Sequence, residues 1–278
     1  MSEKMNYILG GGVSGLIAGY LTGYPVIEKS ITKIPPLFFL WKTEETEDFV
    51  RRLNFDVKTR RIKIGYYYKG DFVSPNEELR KIYSNKIGRD SSMSEMKTEL
   101  KTIDIDINDF LSRLKENVKF ISDEIIAIKG KKLIGKDNTY NYNKLVSTIP
   151  LPKLLSLLNM SSKNLIYSPI FFFKTKIYDE KILNSDYDYF YVIDENIYIY
   201  RITKQPDSTY ICESLYPSFM TNWRTTLLSI RRAEFGKILE GSPPDLSSKN
   251  IILLGRFAEW NSKIRTHDVI KKIKKELL

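Results

Sequence analysis

The chain has 278 residues, 42% hydrophobic and 28% charged, a balance typical of a folded globular protein and long enough for one large or two interleaved smaller domains. The net charge of +10 comes from scattered lysines, and the one cluster, Lys271, Lys272, Lys274 and Lys275, reads as the solvated end of a helix whose other face carries Ile270, Ile273 and Leu277, so no nucleic-acid partner is expected. A single cysteine, Cys212, and a single histidine, His267, exclude an intrachain disulfide and a Cys/His zinc cluster, while the charged start and the short apolar run from Pro35 to Trp41 argue against a signal peptide and a membrane span, so a cytoplasmic, reduced protein without a membrane partner is expected.

The elements begin with a short apolar strand, Tyr7-Ile8-Leu9, followed by Gly10-Gly11-Gly12 and a helix from Val13 to about Leu21 that Gly23 and Pro25 end. Val26-Ile27 is a second strand, closed by Glu28. Thr46 to Leu53 is expected to be helical. Arg61–Tyr68 and Asp71–Val73 form a hairpin around Lys69-Gly70, and residues 84–101 are an exposed loop or helix. Asn108 is expected to cap a helix reaching Lys115. Val118–Ile121 is a strand. Glu124–Ile128, Lys132–Ile134 and Thr139–Tyr142 form three short antiparallel strands, and Leu145–Ile149 an apolar strand stopped by Pro150 and Pro152. Strands are expected at Phe171–Ile177, Tyr189–Ile193, Ile197–Ile202 and Tyr210–Leu215, followed by a helix from Trp223 to Leu239. After Pro243-Pro244 come a buried strand, Ile251–Leu254, a turn at Gly255 and a helix from about Asp268.

Gly10-x-Gly12-x-x-Gly15 follows a strand and opens a helix. In that setting the first glycine makes a tight turn, the second admits a pyrophosphate to the backbone, and the third lets helix and strand approach. The helix start offers free N–H groups and positive dipole to phosphate, and Glu28 stands where a ribose diol would be held. Only twelve residues separate Gly15 from Glu28, so the helix is a turn shorter than usual.

On these residues the chain resembles the FAD-dependent amine oxidase and UDP-galactopyranose mutase superfamily. YILGGGVSGLIAG followed by VIEKS is similar to its flavin-binding start. NVKFISDEIIAIKGKKL and YNYNKLVSTIPL resemble its three-stranded meander and the strand after it. NIILLGRFAEWNSKIRTHDVI resembles its C-terminal flavin motif. The resemblance implies FAD as cofactor. Gly10, Gly12, Val13, Ser14, Gly15, Glu28 and Lys29 would hold the ADP half, and Ile125 would meet adenine through its backbone. Gly255 and Arg256 would lie beside the flavin, with Asp268 and Val269 at the pyrimidine edge, where a helix dipole stabilises reduced flavin. IYIYRITKQPDSTYICESLYP is most similar to the mutase side, which gives Arg201 the place of an arginine facing the flavin. Arg201, Arg256 and Trp260 are the expected catalytic residues, the two arginines able to clamp a diphosphate. Two departures stand out: Lys29 to Pro36 lacks the family's Gly-Gly, and the chain is shorter than typical members.

The expected architecture is α/β: a Rossmann-like FAD-binding domain of residues 1–35, 102–150 and 245–278, with a parallel sheet and an antiparallel meander, and a smaller mixed α+β substrate domain of residues 36–101 and 151–244. The expected function is an FAD-dependent oxidoreductase taking hydride from a small anionic substrate. The alternatives are a non-redox sugar-nucleotide isomerase using reduced flavin and a non-catalytic flavin-binding protein. The oligomeric state is left open.

Overall fold

A computed structural model describes residues 5–29, 40–91, 93–218 and 223–278. In chain order the elements are β1 (Met5–Leu9), α1 (Val13–Thr22), β2 (Val26–Glu28), α2 (Glu44–Arg52), β3 (Thr59–Tyr68), β4 (Asp71–Phe72), α3 (Glu77–Ile87), β5 (Glu99–Ile103), α4 (Ile107–Glu116), β6 (Phe120–Ser122), β7 (Ile125–Lys129), β8 (Lys132–Gly135) and β9 (Thr139–Ser147). They continue with α5 (Leu151–Leu157), β10 (Ile166–Ile177), α6 (Glu180–Leu183), β11 (Tyr189–Val192), β12 (Ile199–Lys204), β13 (Tyr210–Ser214), β14 (Thr225–Glu240), β15 (Ile251–Leu253) and α7 (Thr266–Glu276). The chain divides into two compact units, one of residues 1–58, 103–166 and 240–278, the other of residues 59–102 and 167–239.

The first unit is Rossmann-like. Strands β6, β2, β1, β9 and β15 lie side by side and all pair in parallel. β9 is long enough to serve twice. Its second half runs between β1 and β15, while its first half pairs antiparallel with β8, which pairs with β7 as the meander. Ile8, Val26 and Val146 from the strands meet Leu16 and Ile17 of α1 and Val269, Ile270 and Ile273 of α7 in one buried cluster. Phe49 and Val50 of α2 complete that cluster, so residues 40–58, expected in the other unit, belong here. A capping box on Thr43 and a first turn of Glu44, Glu45 and Glu47 fix the start of α2, and its two buried apolar residues fix its destination. Residues 151–166 also fall in this unit, because α5 buries Leu151, Leu154 and Leu155.

The second unit is built on a sheet in the order β14-β10-β13-β12-β11-β3-β4, with β5 beside β3. Phe173, Phe190, Ile202 and Cys212 are aligned across it and form an apolar cluster with Tyr67 and Trp223. Cys212 is fully buried and burial pushes its thiol pKa up, the behaviour of a small hydrophobe.

Several element boundaries differ from expectation. Residues 223–239 are not a helix: Thr225–Glu240 is a 16-residue strand. Apolar residues at 227, 230, 235 and 238 mimic helical spacing, but the outer edge of β10 needs a hydrogen-bonding partner, and the β-branched Thr225, Thr226 and Ile230 suit it. Asp106, rather than Asn108, caps α4, accepting from Asp109 N at 2.9 Å. Residues 77–87 form α3, capped by Asn76. The C-terminal helix starts at Thr266, two residues early, because Asp268 reaches back to the N–H of Arg265 at 2.8 Å. Of the stretch that lacks the Gly-Gly, residues 30–36 lie outside the described residues.

Candidate functional site

The three motif glycines differ in what surrounds them. Gly10 has φ +113°, which disfavours any side chain, and a Cβ there would meet Thr148 Oγ1 at 2.5 Å. Thr148 is a residue the motif does not contain. Its hydroxyl donates to the carbonyls of Leu9 (3.2 Å) and Gly10 (3.0 Å), tying the end of β9 to the turn. Gly15 sits against the backbone, since a Cβ there would overlap the Gly10 carbonyl. Gly12 is the opposite case: it caps α1 without a side-chain hydrogen bond, and among the described residues a Cβ there would meet nothing within 4 Å. The first amides of a helix have no intrahelical acceptor, so those of Val13, Ser14 and Gly15 at the start of α1 have none within the helix.

Glu28, at the end of β2, accepts hydrogen bonds from the N–H of Gly11 (3.1 Å) and of Lys29 (3.1 Å), one on each carboxylate oxygen. Two N–H donors hold the carboxylate rigid, and each oxygen keeps a lone pair for an external hydroxyl. The Lys29 ammonium lies 3.5 Å from Glu124. Ile125 opens β7 and is buried.

A second turn closes on the same helix start. Gly255 has φ +92°, and a Cβ there would meet Ser14 Oγ at 2.5 Å and Val269 Cγ2 at 4.0 Å. The β15 turn, the start of α1 and the start of α7 therefore converge. Glu259 accepts from Gly255 N at 2.9 Å and is paired with Lys272 at 2.8 Å. Arg256 is exposed and its guanidinium points at the Ile264 carbonyl, 3.4 Å from both Nε and Nη2. Asp268 is spent partly on its cap and Val269 is packed in the core. Trp260 is 4% exposed, and its indole N–H donates to the Glu240 carbonyl at 2.8 Å.

Arg201 belongs to the second unit. Register across four strands places Tyr66, Tyr191, Arg201 and Glu213 in one row, on the face opposite the apolar cluster. Glu213 is 0% exposed and accepts from Arg201 Nε at 2.6 Å, from Arg201 Nη2, and from the Tyr200 hydroxyl at 2.7 Å. Arg201 Nη1 donates to the Tyr189 hydroxyl at 3.2 Å. Burial is the largest single influence and opposes the guanidinium charge, but Glu213 together with Tyr189, Tyr200 and Tyr83 outweighs it, and the pKa is raised well above the usual value. One fork of Arg201 is committed to Glu213, because a buried carboxylate needs a compensating cation. Alternation along β12 and β13 carried the signal for this pairing, since Arg201 and Glu213 are directly opposite.

Among the described residues no group of His, Cys, Asp and Glu could hold a metal ion, and no helix is long and apolar enough to cross a membrane. Neither a protein-family model nor a curated protein sequence matches the chain. Solved structures do match, several of them along nearly the whole of both chains. Reduced UDP-galactopyranose mutase is 13% identical over 98% of this chain and 96% of that one, with a TM-score of 0.66. A CLA-producing fatty acid isomerase from P. acnes is 10% identical over 100% of both, with a TM-score of 0.64. An oxidoreductase from Methanosarcina mazei is 10% identical over 98% and 100%, with a TM-score of 0.61. The chain has the α/β fold of these solved structures.

Proposed function

We propose that the chain is an FAD-dependent oxidoreductase that takes hydride from a small anionic substrate. The observation supporting FAD is the start of α1 at Gly12, where no atom of the described residues lies within 4 Å of a Cβ, flanked by the hydrogen-bonded carboxylate of Glu28. The amides of Val13, Ser14 and Gly15 would receive the pyrophosphate, and Glu28 the ribose diol. The Ile125 backbone would meet the adenine, with Lys29 at the rim. Gly255, Arg256 and the first turn of α7 at Asp268 and Val269 would border the isoalloxazine. FAD, when bound, supplies the hydride acceptor. The chain's own contribution is to orient it and to place the Arg256 cation and the α7 dipole where negative charge develops. The anionic substrate would meet Arg256, which stands exposed on the turn after β15 beside the proposed flavin site.

A second reading, isomerisation of a sugar nucleotide with reduced flavin and no net redox change, is favoured by the row of tyrosine hydroxyls around Arg201. Anaerobic mixing separates the two. Bleaching of bound flavin by an amino acid or another small carboxylate, with peroxide released on exposure to air, supports the oxidoreductase. Bleaching by dithionite alone, with sugar-nucleotide turnover only by the reduced protein, supports the isomerase. Bound flavin that supports neither activity leaves a non-catalytic flavin-binding protein.

A further inference from the structure

β14 ends its sheet: β10 pairs with one side of it, and among the described residues no strand pairs with the other. From Thr226 to Arg232 seven consecutive residues are exposed, so neither face of this stretch is covered. Leu227, Leu228 and Ile230 are 43%, 47% and 53% exposed. A long strand edge with bare apolar side chains on both faces is a template for another strand. Farther along, other segments hold the strand: the Ile238 carbonyl accepts from Arg89 Nη1 at 3.3 Å and the Glu240 carbonyl from Trp260 Nε1 at 2.8 Å. The free stretch is therefore the first two thirds of the strand.

We propose that two copies of the chain join through this edge, antiparallel about a two-fold axis at Ser229. Two-fold pairing of a strand with itself makes the two residue numbers of every opposed pair add to a constant, and an even constant is required for both partners to face the gap alike. Centred on Ser229, Leu228 of each copy faces Ile230 of the other, and Arg224 of each faces Glu234 of the other. Thr226 faces Arg232, Leu227 faces Arg231, and no like charges are opposed. The centre of this register coincides with the centre of the exposed run, 226–232. Glu234 and Arg231 have no hydrogen-bond or ion-pair partner among the described residues, and the Arg224 guanidinium contacts only the Tyr178 ring, 5.7 Å from its centroid. Moving the axis two residues on, to Arg231, would oppose Arg231 to itself. The partner thus completes the backbone edge, covers the apolar side chains and neutralises two unpaired charges per copy.

Sedimentation equilibrium of the full chain over a wide concentration range tests this. A monomer–dimer equilibrium is expected. Arg224→Glu turns two attractive pairs into two repulsive ones and weakens the dimer about tenfold, as does Glu234→Arg. The double variant Arg224→Glu/Glu234→Arg restores wild-type association, a rescue that general loss of fold cannot produce, and circular dichroism of each variant matches wild type. A monomer at every concentration overturns the proposal, as does a dimer indifferent to the single reversals or not rescued by the double one. A monomer that sediments with phosphatidylserine vesicles overturns it too, and gives the edge to a lipid surface.

Discussion

Replacing Gly12 and Gly15 separately by alanine distinguishes a glycine kept for a ligand from one kept for packing. At Gly15 a Cβ overlaps the Gly10 carbonyl, a backbone atom that cannot step aside. Overpacking of this kind costs about 1–3 kcal/mol, and alanine's helix propensity returns about 1. The expected loss is about 2 kcal/mol at the high end of the overpacking range. At Gly12 the backbone is extended, φ −72° and ψ 178°, which alanine adopts freely, and no atom of the described residues lies within 4 Å of the added Cβ. A smaller unfolded-state entropy stabilises by about 0.4–1 kcal/mol, and a poorer N-cap costs a similar amount, so stability stays near wild type. The methyl group, however, stands in the space where phosphate oxygens must come within about 3 Å of the amides. FAD affinity should fall at least about tenfold, or 1.4 kcal/mol. Urea unfolding of the flavin-free variants measures the first quantity and quenching of flavin fluorescence the second. Gly12→Ala that folds normally and binds FAD with wild-type affinity would refute the assignment of that space to the pyrophosphate.

Glu28→Ala should weaken FAD binding by roughly 1–3 kcal/mol, the worth of hydrogen bonds to a charged acceptor, as measured by calorimetric titration; unchanged affinity places the ribose elsewhere. Glu213→Ala strands the Tyr200 hydroxyl and one fork of Arg201. Losing one partner of a buried pair costs about 3–5 kcal/mol, and because the Arg201 side chain is 31% exposed the low end applies. In urea unfolding, the double variant with Arg201→Ala should be less destabilised than the sum of the singles, and strict additivity would deny the coupling. The Lys86 ammonium donates to the carbonyls of Val192 (2.9 Å), Asp194 (2.6 Å) and Ile199 (2.8 Å), and burial lowers its pKa to about 7. The unfolded lysine, near 10.5, then binds more protons than the folded one between the two values, so its contribution to stability should rise with pH above about 7. Lys86→Met should flatten that rise in unfolding midpoints; an identical pH profile excludes it.

The first unit was largely legible because its glycines, its Glu28 and its short apolar strands are each tied to a local backbone demand. Thr148 was missed as a support of the turn because its role exists only once β9 lies beside β1. α2 was placed in the wrong unit for a related reason: its amphipathic pattern shows that it buries Phe49 and Val50 but not against which sheet. β14 was misread because its apolar residues satisfy two periodicities, and the choice was made by the open edge of β10, a feature of tertiary structure. Arg201 was singled out correctly as a charge that needs a partner. That partner, Glu213, is twelve residues away in sequence and directly opposite in the sheet, so only the strand register reveals that the guanidinium is already engaged.

FAD binding itself is tested most directly by equilibrium dialysis of the purified, flavin-stripped chain against FAD, with FMN and riboflavin in parallel. Recognition through the Gly12 space and Glu28 requires the ADP half of the cofactor. FAD should therefore bind at one site per chain with the absorbance bands of a protein-held flavin, and FMN and riboflavin should bind far more weakly. Equal affinity for all three, or no retention of FAD by a folded chain, would contradict the account.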